Sequence, residues 1–331
     1  MATLVGKVGI VLKGAYSSAS TYEIMDAVSY NNGLYIAKQA VPANTPPTNT
    51  TYWQAALDAN VLIPNGYNHN GIYRGNNLGT FSTLAAFEAF LTEHEVSSGK
   101  FTDLYLGDYF TIQDGTYNAA WVIAGFGTEC NRGSSAIPNK NTLSLIPRTT
   151  LGNASMNSTN TTGVSKNTNN PLYATTGGTE TAKYQAYWGS DMAQITMPAV
   201  EAALNGILGS HLKSRDILCS DTINASAASM AGAGLTGAAT GWGWYSVKAA
   251  LMTEVQVYGS MIASSSYYDV GEGDQQLPLF KFVNHVAYQR AYFWLRGVAS
   301  STYFAFADNS GVAFAYNASY AFGVRPLIVV G

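Results

Sequence analysis

The stretch from Gly297 to Phe322 carries seven aromatic rings, Tyr303, Phe304, Phe306, Phe314, Tyr316, Tyr320 and Phe322, but only one acid or base, Asp308. A segment this rich in rings and poor in charge either packs as core or presents a binding surface. Phe304-Ala-Phe-Ala-Asp and Val312-Ala-Phe-Ala-Tyr alternate with period two, which reads as two strands, each with one aromatic face and one alanine face. Alternation does not say which face meets water. Asn309-Ser-Gly and Asn317-Ala-Ser are turn formers, so Phe314, Tyr316, Tyr320 and Phe322 beside them are expected to be exposed. Rings on a background of Ser, Gly, Ala and Asn describe an antibody-like contact surface, in which Tyr supplies area at low entropy cost.

The residue types missing from the window are also informative. Lys, Glu, Gln, Met and Trp make up 42 of the 331 residues, yet none falls in these 26 positions, where simple proportion gives about three. None of the five can be written by a codon ending in a pyrimidine, whereas Tyr, Phe, Asn, Asp, Ser, Gly, Ala and Val all can.

Two blocks flank the window, Ala291-Tyr-Phe-Trp-Leu-Arg296 before it and Gly323-Val-Arg-Pro326 after it. Blocks and filling together resemble the C-terminal variable region of phage proteins diversified by retroelements, which carry a C-type-lectin-like fold related to formylglycine-generating enzymes. In that family an error-prone reverse transcriptase randomises adenines in Asn codons, and the altered residues form the receptor-binding surface. Asp103-Leu-Tyr-Leu-Gly-Asp-Tyr, Gln113-Asp-Gly-Thr-Tyr, Leu251-Met-Thr-Glu-Val-Gln-Val-Tyr-Gly and Gln276-Leu-Pro-Leu-Phe resemble framework segments of such gut-phage proteins, which extends the likeness over residues 101–331. The resemblance implies an α+β chain: a small N-terminal all-β module followed by a C-type-lectin-like domain with its variable region at 291–322. It also implies a ligand-binding surface made of Tyr292, Phe293, Gly297, Tyr303, Phe306, Asp308, Asn309, Val312, Phe314, Tyr316, Asn317, Tyr320, Ala321 and Phe322. Trp294, Leu295, Arg296, Val324, Arg325 and Pro326 are expected to be buried framework.

Bulk properties narrow the partners. Charged residues are 11% of the chain and the formal net charge is -3, so there is no basic surface to hold phosphate backbones, and nucleic acid is not expected as a partner. No apolar run is long enough for membrane insertion, and Val8-Gly-Ile-Val-Leu12 is too short for a signal-peptide core. A phage structural protein, made in the host cytoplasm and released by lysis, fits that pattern, as does a cytosolic enzyme. Cys130 and Cys219 are the only cysteines and read as two small buried residues. His69, His94, His211 and His285 lack metal-ligand spacing, so neither metal nor cofactor is expected.

No catalytic constellation emerges. There is no Gly-x-Ser-x-Gly elbow, and Asp269, Glu272 and Asp274 lie in a Gly-rich setting that reads as a solvated turn. The resembled fold's enzymes depend on a cysteine pair in a C-terminal context that Cys130 and Cys219 do not share, so the chain is not expected to be an enzyme.

Residues 1–64 read as a separate β module, with Asn32-Gly33 as a hairpin signal, a Pro-rich loop from Val41 to Thr50 and a returning strand at Tyr52-Trp53-Gln54. Asp26, Tyr30, Tyr35 and Trp53 match the pattern of chitin-binding-type carbohydrate-binding modules in phage tail proteins, which the segment resembles. Tyr30, Tyr35 and Trp53 are therefore candidates to stack on glycan, against the plainer reading that they hold the module together while it attaches to the virion.

Residues 65–100 read as linker and amphipathic helix, with Ser82 as N-cap and Leu84, Phe87, Phe90 and Leu91 along one stripe that needs a partner in the lectin-like domain or a neighbouring subunit. A second helix is expected over 191–208, ended by Gly209. Residues 153–170 read as an exposed polar loop, and 225–243 as a Gly/Ala-rich insertion ending in Trp242-Gly-Trp244, where the two indoles either flank the binding face or anchor the core. Arg296 and Arg325 read as scaffold, with Asp191 and Glu254 as candidate partners.

Two function classes follow: a phage receptor-binding adhesin recognising a bacterial surface protein or glycan, or a structural tail-fibre component without receptor specificity. In either case the expected setting is the virion, among other tail proteins, as a homo-oligomer and most simply a trimer.

Overall fold

The computed structural model describes residues 9–30, 33–57, 66–130, 133, 141–179, 185–224, 238–264, 275–282 and 290–331. About 20% of the structure is helical and 35% strand, so sheets set the architecture of a mixed fold. The chain divides into two compact units, Met1–Asn65 and Gly66–Gly331.

The first unit is a four-stranded sheet in sequence order: β1 (Val11–Ala15), β2 (Asp26–Tyr30), β3 (Gly33–Ala37) and β4 (Trp53–Leu57). β1 runs parallel to β2, and the other pairs are antiparallel. The hairpin signalled at Asn32-Gly33 closes where Tyr30 pairs with Gly33; Asn32 itself lies outside the described residues. Tyr22, Val28, Ala37, Val41 and Trp53 form the small core. Trp53 is buried, with its indole N–H donating to the Thr45 carbonyl at 3.1 Å, so it holds the module together and offers no face to a sugar. Tyr30 stands edge-on to Tyr16 and Tyr35, and both Tyr30 and Tyr35 are half-buried.

The second unit begins with β5 (Asn77–Phe81), α1 (Leu84–Glu93), β6 (Tyr109–Ile112), β7 (Ala119–Phe126), β8 (Leu143–Pro147), β9 (Asn153–Ser155) and α2 (Pro171–Thr175). It continues through α3 (Met197–Leu208), the ribbon β10 (Arg215–Asn224) and β11 (Ala238–Val247), β12 (Ala249–Leu251), α4 (Glu254–Tyr258) and α5 (Leu279–Phe282). The C-terminal strands are β13 (Phe293–Val298), β14 (Tyr303–Ala307), β15 (Ala313–Asn317), β16 (Ala321–Gly323) and β17 (Pro326–Val330). They form a six-stranded sheet, β12-β17-β8-β7-β6-β5, and a five-stranded sheet, β15-β14-β13-β16-β9. Strands β8 and β17 are buried along their whole length, because alternate residues serve two cores: Leu145 and Ile328 on one side, Ile146 and Leu327 on the other.

Residues 66–100 belong to this unit and are not a linker. Helix α1 is capped by Thr83, whose side chain accepts the Ala86 N–H at 3.2 Å, one residue later than the cap expected at Ser82. Its stripe is covered within the unit: Phe90 lies 5.0 Å from Phe81 and 5.3 Å from Phe110, ring to ring, and Phe87 and Leu91 are buried alongside. The helix therefore requires no neighbouring subunit. The helix expected over 191–208 is split, with Met192–Thr196 wound as a π-helix before α3. Pro198 sits in the first turn of α3, where its missing N–H is tolerated and where it cannot extend the hydrogen-bond ladder backwards. Gly209, at φ 51°, ends α3 as expected.

Candidate functional site

The aromatic window folds as the edge of the five-stranded sheet. Trp294 pairs with Phe306 across β13 and β14, and Phe306 pairs with Phe314 across β14 and β15, so these three rings share one face. Phe293 and Ala307, one residue out of phase, face the other way and join Leu295 and Ala305 in the second core. The burial along each strand follows its position. Inner strand β14 is covered on both faces, whereas β15 is an edge strand and its share of the aromatic face emerges into solvent.

Phe322 gathers the rings. Its centroid lies 4.6 Å from Phe306, 4.8 Å from Trp294, 5.0 Å from Tyr320 and 5.6 Å from Tyr316, with Tyr292 stacked on it at 5.3 Å and 17°. Trp294 is the base of the cluster, fully buried and fixed by an indole N–H donated to the Ala154 carbonyl at 2.9 Å. Phe306 and Phe322 are only 6% and 9% exposed, while Phe314, Tyr316 and Tyr320 are 52%, 40% and 52% exposed. The result is a cavity of about 530 Å³ with a phenylalanine floor and a tyrosine rim, lined by Tyr292, Phe306, Tyr316, Tyr320, Ala321 and Phe322 together with Asn153, Ala291 and Gly323.

The structure corrects part of the expected surface. Phe293 is fully buried in the second core because of its strand parity, and Gly297 is buried in the irregular stretch of β13 between Trp294 and Val298. Phe322, expected in the open, is floor. Tyr303 is exposed but out of phase with Phe304 and Phe306, so it points away from the cavity. Asn309 and Val312 are exposed on the β14–β15 turn, and Asn317 is half-buried, its side-chain oxygen accepting from Asn160 at 2.9 Å. Asp308 builds that turn: one carboxylate oxygen accepts the N–H groups of Ser310 and Val312 and the Ser310 hydroxyl. Burial pushes its pKa up, but these hydrogen bonds outweigh burial and hold it below the ordinary carboxylate value.

Residues 153–170 are not a free loop. The tract opens as β9, which pairs with β16 through Phe322 and Ala154, and thereby places Asn153 in the cavity. Beyond β9, Asn157, Thr162, Ser165 and Asn170 are buried; the Asp191 carboxylate accepts from the Ser158 N–H, the Ser165 hydroxyl and the Asn170 amide, and the Asn157 side-chain oxygen accepts the Asp191 N–H. The tract in turn braces the hairpin, since Thr162 donates to the Ser300 and Ser301 carbonyls and the Asn157 N–H donates to Ala318. Asn153 was illegible in the sequence, because its place depends on a three-residue strand pairing with one far along the chain.

Both scaffold arginines are buried, but not beside the carboxylates expected. Asp191 serves the polar tract, and Glu254 accepts from the N–H groups of Ile262, Ala263 and Ser264. Arg325 donates to the Pro147 carbonyl at 3.1 Å and stacks over Phe293, and burial lowers its pKa. Arg296 reaches the Leu218 carbonyl and the Cys219 sulfur. A buried ion pair joins Arg215 to Glu129 at 3.3 Å. Trp242 and Trp244 lie on β11, both exposed.

Cys130 and Cys219 are free thiols. Among the described residues no group of His, Cys, Asp and Glu is placed to hold a metal ion, and no helix is long and apolar enough to cross a membrane. Asp269, Glu272, Asp274 and His285 lie outside the described residues. Neither protein-family models, nor curated proteins, nor solved structures yield a match to this chain.

Proposed function

We propose that the chain is a phage receptor-binding protein of the retroelement-diversified type, whose second unit is a C-type-lectin-like domain carrying the receptor site on its aromatic face. One observation carries this reading: a cavity lined mainly by pyrimidine-codable residues of the window rests on a base outside that set, the buried Trp294. A surface altered wholesale needs such an unaltered base, and here the exposed rim can change while the buried floor, Trp294, Arg325 and the second core stay in place.

The remaining assignments follow from that reading. The ligand is a molecule of the bacterial surface, the protein is not an enzyme, and it works on the virion as a trimer at a tail-fibre tip among other tail proteins, with the N-terminal unit as attachment module. With the α1 stripe covered internally, the case for a trimer is avidity: several weak sites on one particle gain roughly 10²–10⁴-fold without new contacts. Light scattering that returns a concentration-independent monomer excludes the trimer.

Labelled protein applied to a panel of bacterial cells tests the receptor reading. Binding to some strains, lost when Phe314, Tyr316 and Tyr320 are all changed to Ser, is expected. Equal binding by the triple variant assigns recognition elsewhere and leaves this face structural. Independently, a near-copy of the 292–322 coding region bearing Asn codons beside a reverse-transcriptase gene is expected in the adjacent DNA.

A further inference from the structure

We infer that the polar tract following β9 is a positioning element of the receptor site: it holds the two loops that flank the exposed rings by their main chain, so the site keeps one shape whichever side chains the window displays. This deepens the receptor-binding reading and rests on it.

The loops are residues 299–302, between β13 and β14, and residues 318–320, between β15 and β16. The first leads into the exposed Tyr303 and the second carries the exposed Tyr320. Thr162 reaches the first loop twice, its N–H donating to the Ser301 carbonyl at 2.9 Å and its hydroxyl to the Ser300 carbonyl at 2.7 Å. The Asn157 N–H donates to the Ala318 carbonyl at 3.0 Å, and the Ala318 N–H donates across to the Thr302 carbonyl at 2.9 Å, which ties the second loop to the first. All four acceptors are backbone carbonyls of the window. A carbonyl is present whatever residue occupies its position, so exchanging side chains leaves each of these ties available. The Asn160 amide adds a contact to the Asn317 side-chain oxygen at 2.9 Å, and that contact alone of the five depends on the residue displayed.

The donors lie outside the window and are themselves fixed. Asn157 and Thr162 are fully buried. The Asn157 side chain accepts the Asp191 N–H at 3.0 Å and donates to the Thr161 carbonyl at 2.7 Å, while the Thr162 carbonyl accepts the Ala186 N–H at 2.8 Å. Asp191 closes the network through Ser158, Ser165 and Asn170. A buried polar network adds little net stability over apolar packing, but when its members are satisfied it fixes a single arrangement. Its contribution here is rigidity. Loops already ordered in the free protein lose less entropy when the rings meet a receptor.

Backbone hydrogen exchange in the full chain, followed over residues 299–303 and 316–321 with β8 and β17 as the reference for global stability, reads the loops directly. The same proteins, labelled, are applied to the panel of bacterial cells. Thr162→Val keeps the shape of the side chain and removes its hydroxyl. Both loops are then expected to exchange roughly fivefold faster, the equivalent of one hydrogen bond, with parental exchange in β8 and β17 and severalfold weaker binding to cells. Thr162→Ser restores the hydroxyl and should return both readouts to the parental values. The triple change of Phe314, Tyr316 and Tyr320 to Ser should keep parental exchange over residues 299–302 although it abolishes binding. Faster exchange there in the triple variant means that side chains shape the loops, and overturns the inference. Parental loop exchange in a folded Thr162→Val overturns it as well, and so does faster exchange with unchanged binding, which leaves the tract a structural brace. If Thr162→Val fails to fold, Ser165→Ala, which removes one donor to Asp191 and touches neither loop, is held to the same outcomes. Absence of parental binding to every strain rejects the receptor reading itself, while exchange still decides whether the tract holds the loops.

Discussion

Tyr292 lies flat on Phe322, the ring centroids 5.3 Å apart and the planes within 17°, so a ring of the block before the aromatic window meets the window's last ring on one face. The contact follows from the parallel pairing of β13 with β16, which sets Phe293 against Gly323 and brings their preceding neighbours together on the cavity side. It is the point at which floor and rim join, and it separates residues the fold needs from residues it merely displays.

That separation predicts unequal costs for similar substitutions. Phe322→Ala removes the ring that touches Trp294, Phe306, Tyr292, Tyr316 and Tyr320, and should destabilise the unit by about 3–5 kcal/mol. Tyr320→Ala, at an exposed position, should cost below about 1 kcal/mol. Urea midpoints of the two variants give the comparison, and equal losses would contradict the floor-and-rim division.

Gly323 tolerates no side chain. A Cβ there would lie 2.3 Å from the Thr150 methyl and 2.6 Å from the Tyr292 carbonyl oxygen, and the latter is backbone that cannot rotate away. Gly323→Ala should therefore push β16 from β13 at a cost of about 1–3 kcal/mol. A melting temperature within a degree of the parent would show that the strands part without strain.

Parts of this arrangement were legible in the sequence and parts were not. Period-two alternation in Phe304–Asp308 and Val312–Tyr316 marks two strands, and they form the β14–β15 hairpin. Which rings meet water depends on which strand is the sheet edge, and that is decided by pairing partners outside the window. Hence Phe314 is open and Phe306, directly across from it, is covered. Parity could have removed Phe293 from the surface, since it is out of phase with Tyr292 and Trp294 on one strand. Composition misled in part at 153–170: Ser158, Thr159, Asn160, Thr168 and Asn169 are exposed as expected, but Asn157, Thr162, Ser165 and Asn170 are buried, and Ser165 and Asn170 donate to one buried carboxylate.

That carboxylate supplies the next expectation. Asp191→Ala leaves the Ser158 N–H, the Ser165 hydroxyl and the Asn170 amide without their acceptor, at about 1–3 kcal/mol for each group that stays buried. The tract should loosen before the rest of the unit unfolds. Limited proteolysis is expected to cut within residues 156–170 in the variant and not in the parent, and identical digests would argue against the bracing role.

Arg325 tests whether its guanidinium matters for charge or for volume. The side chain is fully buried, with Phe293 at 5.1 Å and Phe280 at 6.0 Å from the guanidinium carbon, and burial lowers its pKa because the charged form is disfavoured there. Arg325→Ala leaves a void and strips the Pro147 carbonyl of its donor, and should cost about 3–5 kcal/mol. Arg325→Met fills the space without burying a charge and should cost clearly less. If Met proves as damaging as Ala, the hydrogen bond outweighs the packing.

Alkaline pH separates a buried phenol from the exposed ones. Tyr187 is buried, its oxygen accepts the Leu251 N–H at 3.0 Å, and burial raises its pKa above the ordinary phenol value of 10.0. The folded state therefore keeps its proton where the unfolded chain gives it up. The resulting stabilisation is complete below pH 10 and is lost as pH rises above it, by about 1.4 kcal/mol per pH unit. Tyr187→Phe leaves the Leu251 N–H unsatisfied and should be less stable at pH 7 by about 1–3 kcal/mol, but it lacks this slope. Burial raises the pKa of Tyr258 as well, and because that residue is present in both proteins its contribution cancels in the difference. Urea unfolding of parent and variant at pH 9, 10 and 11 should thus show the gap between them constant up to pH 10 and narrowing beyond it. A gap that stays constant to pH 11 would mean that the Tyr187 phenol ionises alike in both states and that its burial does not govern its proton.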